Sequence, residues 1–140
     1  MTAKEFLERP YRVSRELERL LEELEEINNV AGRLTASYGK LVVGGSKDAH
    51  SMDETVAKID DVKTRVSEKT KELFDVRQEV MSVIEQVPNE GWQGVLKNRY
   101  LDLLPSQSIA VRRHLTRRWI DEMCHRGEQE VGRILKDASK

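Results

Sequence analysis

The sequence predicts an all-α chain, a long antiparallel helical hairpin followed by a C-terminal helix-turn-helix module, and three observations carry that expectation. Charged residues make up 35% of the 140 residues and aromatic residues only 5%, a balance that favours long solvated helices over a thick core. Apolar residues recur every seven positions through two long stretches, the period of helices that pack on helices. Each stretch opens with a Ser or Thr followed three residues later by Glu, the spacing of a capping box.

The first helix is expected to begin at Thr2, whose hydroxyl can cap while Glu5 reaches back. Phe6, Val13, Leu20, Ile27 and Leu34 repeat every seven residues, and Leu17, Leu24 and Ala31 fill the second seam position. Pro10 lies in the same stretch and lacks an amide proton, so a kink or break is expected near Arg9. Residues 37–52, with Tyr38-Gly39, Gly44-Gly45 and Asp48, are expected to form a flexible connector, in which Leu41-Val42-Val43 could be briefly extended.

Ser51 and Glu54 are the capping pair of the second helix, which should run to about Val87, ahead of Pro88. Its seam is Ile59, Val66, Leu73, Val80 and Val87, with Val62, Val76 and Val83 three residues after their partners. Lys69 interrupts the second row. Either it fixes register, or its stem lies along the seam with the ammonium in water. Two such helices should fold back as a hairpin over residues 1–87, and a homodimer would bury more seam than one hairpin can.

Residues 88–140 are expected to form a separate module. A third helix should carry Trp92, Val95, Leu96 and Tyr100 inward, and a fourth, roughly Ser106 to Arg113, should bury Ile109 and Ala110 with Pro105 in its first turn. After a turn at His114-Leu115, Thr116 can cap a fifth helix through Ile120, Met123, Cys124, Gly127, Val131, Ile134 and Leu135.

Charge is divided along the chain. Residues 1–87 carry 14 Lys and Arg against 18 Asp and Glu, a balance of −4, while residues 88–140 carry 10 against 7, a balance of +3. Four arginines and a histidine, with no acid, lie between Arg112 and Arg118. A nearly neutral chain with one basic cluster points to a docking surface rather than a nonspecific polycation.

From Arg99-Tyr100-Leu101 through Ile109-Ala110, Thr116, Arg118-Trp119-Ile120, Arg126 and Val131, the chain resembles the helix-turn-helix of sigma-factor region four. It is most similar to phage-encoded relatives grouped loosely with ArpU-like and RinA-like late transcription regulators. Ala3-Lys4-Glu5-Phe6-Leu7-Glu8, Pro10-Tyr11-Arg12 and Ala57-Lys58-Ile59 extend the resemblance over most of the chain. It departs from the pattern at Arg113, where an apolar residue is usual, at His114, where glycine or a small residue is usual, and at Leu103 and Pro105, which replace a glycine and a capping hydroxyl. Histidine tolerates a left-handed backbone better than most residues, though less well than glycine.

The resemblance implies a phage or prophage DNA-binding transcription regulator that reads double-stranded DNA, with host RNA polymerase as a further partner and the host bacterial cytoplasm as its setting. A recognition helix beginning at Thr116 would turn its N-terminal side chains to the bases. With Ile120, Met123 and Cys124 facing the core, the candidates for base contacts are Arg117, Arg118, Asp121, Glu122 and His125. An arginine fork matches the O6 and N7 acceptors of guanine. Arg112, Arg113 and Thr116 are the candidates for phosphate contacts. For each arginine the competing account is favourable charge at a helix C-terminus. Trp119 has two readings, core packing ahead of stacking on the nucleic-acid backbone.

Two other classes fit the same residues. One is a small terminase-like packaging or structural subunit. The other is a helix-turn-helix adaptor that binds only protein. Catalysis is not expected, because the chain has no phosphate-binding glycine loop, nucleophile elbow or HExxH pattern. His114, Cys124 and His125 lack metal-ligand spacing, so neither metal nor cofactor is expected. Cys124 is the only cysteine, which suits a reducing, cytoplasmic setting, and no apolar run is long enough to span a membrane.

Overall fold

The computed structural model describes residues 1–40 and 46–139, with the side chains of Thr35, 37–40 and 46–51 left aside. The described residues form α1 (Ala3–Leu7), α2 (Arg9–Lys40), α3 (Ser46–Ile84), α4 (Glu90–Leu96), a π-helical turn (Lys97–Leu101), α5 (Ser106–Arg113) and α6 (Arg117–Ala138). The protein is all-α. Among these residues there is no strand, and no helix is long and apolar enough to cross a membrane. Leu41-Val42-Val43 falls outside the described residues.

Local chemistry sets most of the boundaries. Thr2 accepts the amide proton of Glu5 at 3.1 Å and starts α1. The break expected near Arg9 is present: Glu8 caps α1, and α2 begins with Pro10 in its first turn, where a missing amide is tolerated. The connector is shorter than the expected 37–52, since α2 runs to Lys40 and α3 starts at Ser46. Ser51 therefore lies inside a helix rather than capping one. Nothing from Ser46 to His50 is a glycine or proline that would stop the helix from extending backward.

The chain divides into two compact units, 1–14 with 73–140, and 15–72. This differs from a division at residue 87, because both ends of the hairpin sequence enter the C-terminal core. Phe6 and Leu7 from α1, Val80 and Ile84 from α3, and Val87 join Val95, Leu96, Tyr100, Leu101, Ile109, Ala110, Ile120, Cys124 and Val131 in one buried cluster. At its centre lies α6, packed on α1, α4 and α5. Gly127 lets that packing close, since a Cβ there would stand 2.9 Å from a methyl of Leu96.

In the 15–72 unit, α2 and α3 run antiparallel, with Arg65 3.4 Å from Glu23 and Lys69 2.7 Å from Glu16. Lys69 also meets Glu72 at 2.8 Å. Its side chain is 24% exposed, so the seam lysine has specific carboxylate partners instead of only water. The hydrogen bonds that Lys69 donates to Glu16 and Glu72 hold the ammonium protonated, pushing its pKa up to about 12, and the same bond to Glu16 holds that carboxyl below its ordinary value.

Two helix ends use left-handed residues that are not glycine, Leu103 and His114, each with φ of 57°. After the π turn, Leu104 donates to the carbonyl of Asn98, and Arg77 closes the end by donating to the Leu101 carbonyl at 2.7 Å. After α5, Leu115 donates to Ala110 at 2.9 Å and His114 to Val111 at 3.4 Å, a Schellman closure with His114 at the left-handed position. A left-handed L-residue costs roughly 1–2 kcal/mol, and glycine's larger unfolded-state entropy offsets part of that. His114→Gly is therefore expected to stabilise the protein by about 0.5–1 kcal/mol, read as a higher melting midpoint. A lower midpoint would mean that the imidazole makes a stabilising contact.

Candidate nucleic-acid interface

The region from α5 to α6 follows from local sequence. Pro105 is the extended residue just outside α5 rather than part of its first turn, with its carbonyl accepting from Ile109. Thr116 caps α6, its Oγ1 accepting the amide proton of Trp119 at 3.1 Å. Because the hydroxyl accepts in that bond, its own proton is left to donate. The first turn of α6 contains no acid, so the positive end of the helix dipole reinforces Arg117 and Arg118.

The arginines divide into two groups. Arg112, Arg117 and Arg118 are exposed, and none has a hydrogen-bond or ion-pair partner among the described residues. Every other cation from Lys97 to Arg133 is engaged: Lys97 with Glu85, Arg99 with Ser106, Arg113 with Asn98, Arg126 with Glu122 and Arg133 with Glu130.

Arg113 departs from its expected role as a phosphate contact. It is half-buried, its Nε donates to Oδ1 of the buried Asn98 at 2.9 Å, and Asn98 in turn donates to Asp102 at 2.9 Å. Gly94 admits the guanidinium, since a Cβ at that position would fall 2.3 Å from it. Sequence reasoning missed this contact. The available signal was a glycine inside α4, where helix propensity disfavours one and close approach by a neighbour explains it.

The candidates on α6 also separate. Arg118, Glu122 and His125 are exposed, at spacings of four and three residues, on the face opposite Ile120, Gly127 and Val131. Glu122 pairs with Arg126 at 2.9 Å, and His125 lies 3.3 Å from Gln129. Asp121 departs from this face. Its Oδ1 accepts from Ser106 at 2.7 Å, and the Ser106 hydroxyl accepts from Arg99 at 2.9 Å, so the carboxylate fastens α6 to the start of α5. Trp119 is 46% exposed, contrary to core packing, and the neighbouring Val111 and Leu115 are exposed too.

A polar pocket of about 210 Å³ borders the same helix, lined in part by Lys4, Glu8, Arg99, Tyr100, His125 and Glu128. At its wall the Tyr100 hydroxyl and the Cys124 thiol both donate to Glu128. Burial first, then the Glu128 carboxylate, pushes the Tyr100 pKa up and the Cys124 pKa up to about 12. A thiol whose folded pKa lies above its unfolded value of about 8.5 contributes stability in full below that value and loses it as pH rises toward 12. At pH 8 a thiol reagent is therefore expected to modify the folded chain about 100-fold or more slowly than the denatured chain. Equal rates would contradict the burial of Cys124.

Comparison with models of known families, with curated proteins and with solved structures gives no match.

Proposed function

We propose that this chain binds double-stranded DNA through the turn between α5 and α6 and the first turns of α6, and that it acts as a sequence-reading transcription regulator of a phage or prophage. The observation that carries this reading is the contrast among cations, in which Arg112, Arg117 and Arg118 stand free while their neighbours are paired. Unpaired arginines around an acid-free helix start make a surface that favours phosphate.

Arg118, with Arg117 beside it, presents a fork for guanine at the start of the recognition helix. Glu122 can accept from cytosine N4, and His125 lies one turn further along the same face. Arg112 and the free hydroxyl proton of Thr116 hold phosphates. Arg113 and Asp121 support the motif from within.

The test is duplex binding by the full chain, followed by fluorescence anisotropy across a salt series. Affinity should fall with salt, with a slope of about −0.9 for each phosphate neutralised. Removing all three free arginines should abolish most of that slope. Binding that ignores both salt and the triple substitution would overturn the reading. A protein-binding adaptor is the second reading, favoured by the exposure of Val111, Leu115 and Trp119; it predicts no salt-dependent duplex binding at all.

A further inference from the structure

The segment from Val111 to Trp119 combines two features. Of the ten large hydrophobic side chains that stand exposed among the described residues, three lie here, Val111, Leu115 and Trp119. The free arginines Arg112, Arg117 and Arg118 lie in the same segment, which contains no acid. An exposed valine or leucine is ordinary by itself. An indole is less so, since tryptophan is highly buried on average, and Trp92 of this chain packs against the core.

Local chemistry fixes where the Trp119 ring sits. Its amide donates to the Thr116 hydroxyl oxygen at 3.1 Å, which places it in the first turn of α6. The next residue, Ile120, is fully buried, so Trp119 lies about 100° round the helix from the core-facing line and the core does not absorb it. Glu122 follows three residues later, which makes the two side chains neighbours on the helix surface.

An occupant that suits this surface is anionic at its edges and apolar in spots. The major groove of B-DNA is both: phosphates border it, and each thymine projects a C5-methyl into it. An anionic bilayer would also meet the arginines, but it would have to take in the Glu122 carboxylate beside the ring, at a cost in desolvation. In the groove the same carboxylate finds a donor in cytosine N4.

We propose that the Trp119 ring packs on the C5-methyl of a thymine, one or two base pairs from the base that Glu122 meets, and that Trp119 is thereby a specificity-determining residue. The spacing follows from the roughly 5–6 Å between side chains three residues apart on a helix and the about 3.4 Å between successive bases on a strand. The proposal rests on the reading of the α5–α6 turn as a duplex-binding surface and adds an apolar contact to its polar ones. Cytosine in the same place has no methyl and turns an amino donor toward the ring, so it is disfavoured.

The test removes the methyl from the DNA. In a duplex that the full chain selects from a random pool, each thymine is replaced in turn by deoxyuridine, which keeps every hydrogen-bonding group and loses only the C5-methyl. Binding is read by fluorescence anisotropy. At one thymine position the replacement should weaken binding about fourfold, the worth of one buried methyl group. Trp119→Ala should bind the thymine and deoxyuridine duplexes alike, and Trp119→Phe should keep the difference. If Trp119→Ala melts below the wild type, the deoxyuridine series on the wild type still decides, because it needs no altered protein.

A flat deoxyuridine series with salt-dependent binding intact would overturn this proposal and leave the duplex reading standing; a ring stacked on the sugar-phosphate backbone, or one reserved for a protein partner, gives that result. A methyl effect that survives Trp119→Ala would overturn it as well. No salt-dependent duplex binding would overturn both. Tighter binding to phosphatidylglycerol vesicles than to any duplex, lost in Trp119→Ala, would assign the ring to a membrane surface instead.

Discussion

Residues 88–140 produced alone are expected to be unfolded at 25 °C. The core that surrounds α6 draws Phe6, Leu7, Val80, Ile84 and Val87 from outside that segment, and burying each such large side chain contributes roughly 1.5–3 kcal/mol. Losing five together removes an amount comparable to the about 5–15 kcal/mol by which domains are usually stable. A single truncation shows the same dependence: Ile84→Ala, at a fully buried position, is expected to cost about 2–5 kcal/mol. Circular dichroism and thermal melting of the fragment beside the full chain check this. A cooperative melt of the fragment at the full-chain midpoint would mean that α1 and the end of α3 are dispensable to the core.

The second large effect concerns the free arginines. Arg118→Ala is expected to weaken binding to the preferred duplex by about 1–3 kcal/mol and to relax sequence preference. Arg112→Ala should instead weaken all duplexes alike and flatten the salt slope by about one unit. Arg113→Ala serves as the contrast. It leaves buried Asn98 without its donor, so its expected effect is about 1–3 kcal/mol of stability and little change in salt slope. Anisotropy on preferred and scrambled duplexes, together with melting of each variant, separates the three. Equal behaviour of Arg112→Ala and Arg113→Ala in the salt series would contradict the division of labour.

Sequence legibility tracked how local the controlling chemistry is. The start of α1 at Thr2, the break at Pro10, the bounds of α5 and the Thr116 cap are each set within about four residues, and each is present. The left-handed turn at His114 was legible for the same reason. The π turn and the left-handed Leu103 were not: the Leu101 carbonyl at the end of that turn accepts from Arg77, which lies far away in sequence. The Arg113 contact was not legible because Asn98, which accepts from its guanidinium, and Gly94, which makes room for it, come from another helix.

Helical phase explains the errors on α6. Trp119 is one residue before Ile120, hence about 100° from the centre of the buried stripe, so its ring stays exposed despite its size. Asp121, one residue on the other side of Ile120, turns toward Ser106. The same phase leaves Arg118, Glu122 and His125 outward. The two-unit division was hidden because the heptad pattern continues through Val80 and Val87 without a break, although those residues pack on α6's core rather than within the 15–72 unit.

Amide hydrogen exchange of the full chain, with and without a duplex selected by the protein from a random pool, tests the location of the interface most directly. Added protection is expected from Val111 through His125, spanning the end of α5, its turn and the start of α6, with residues 15–72 unchanged. Protection confined to residues 15–72, or no selected duplex and no change anywhere, would contradict the assignment of this end of α6 as a DNA-reading surface.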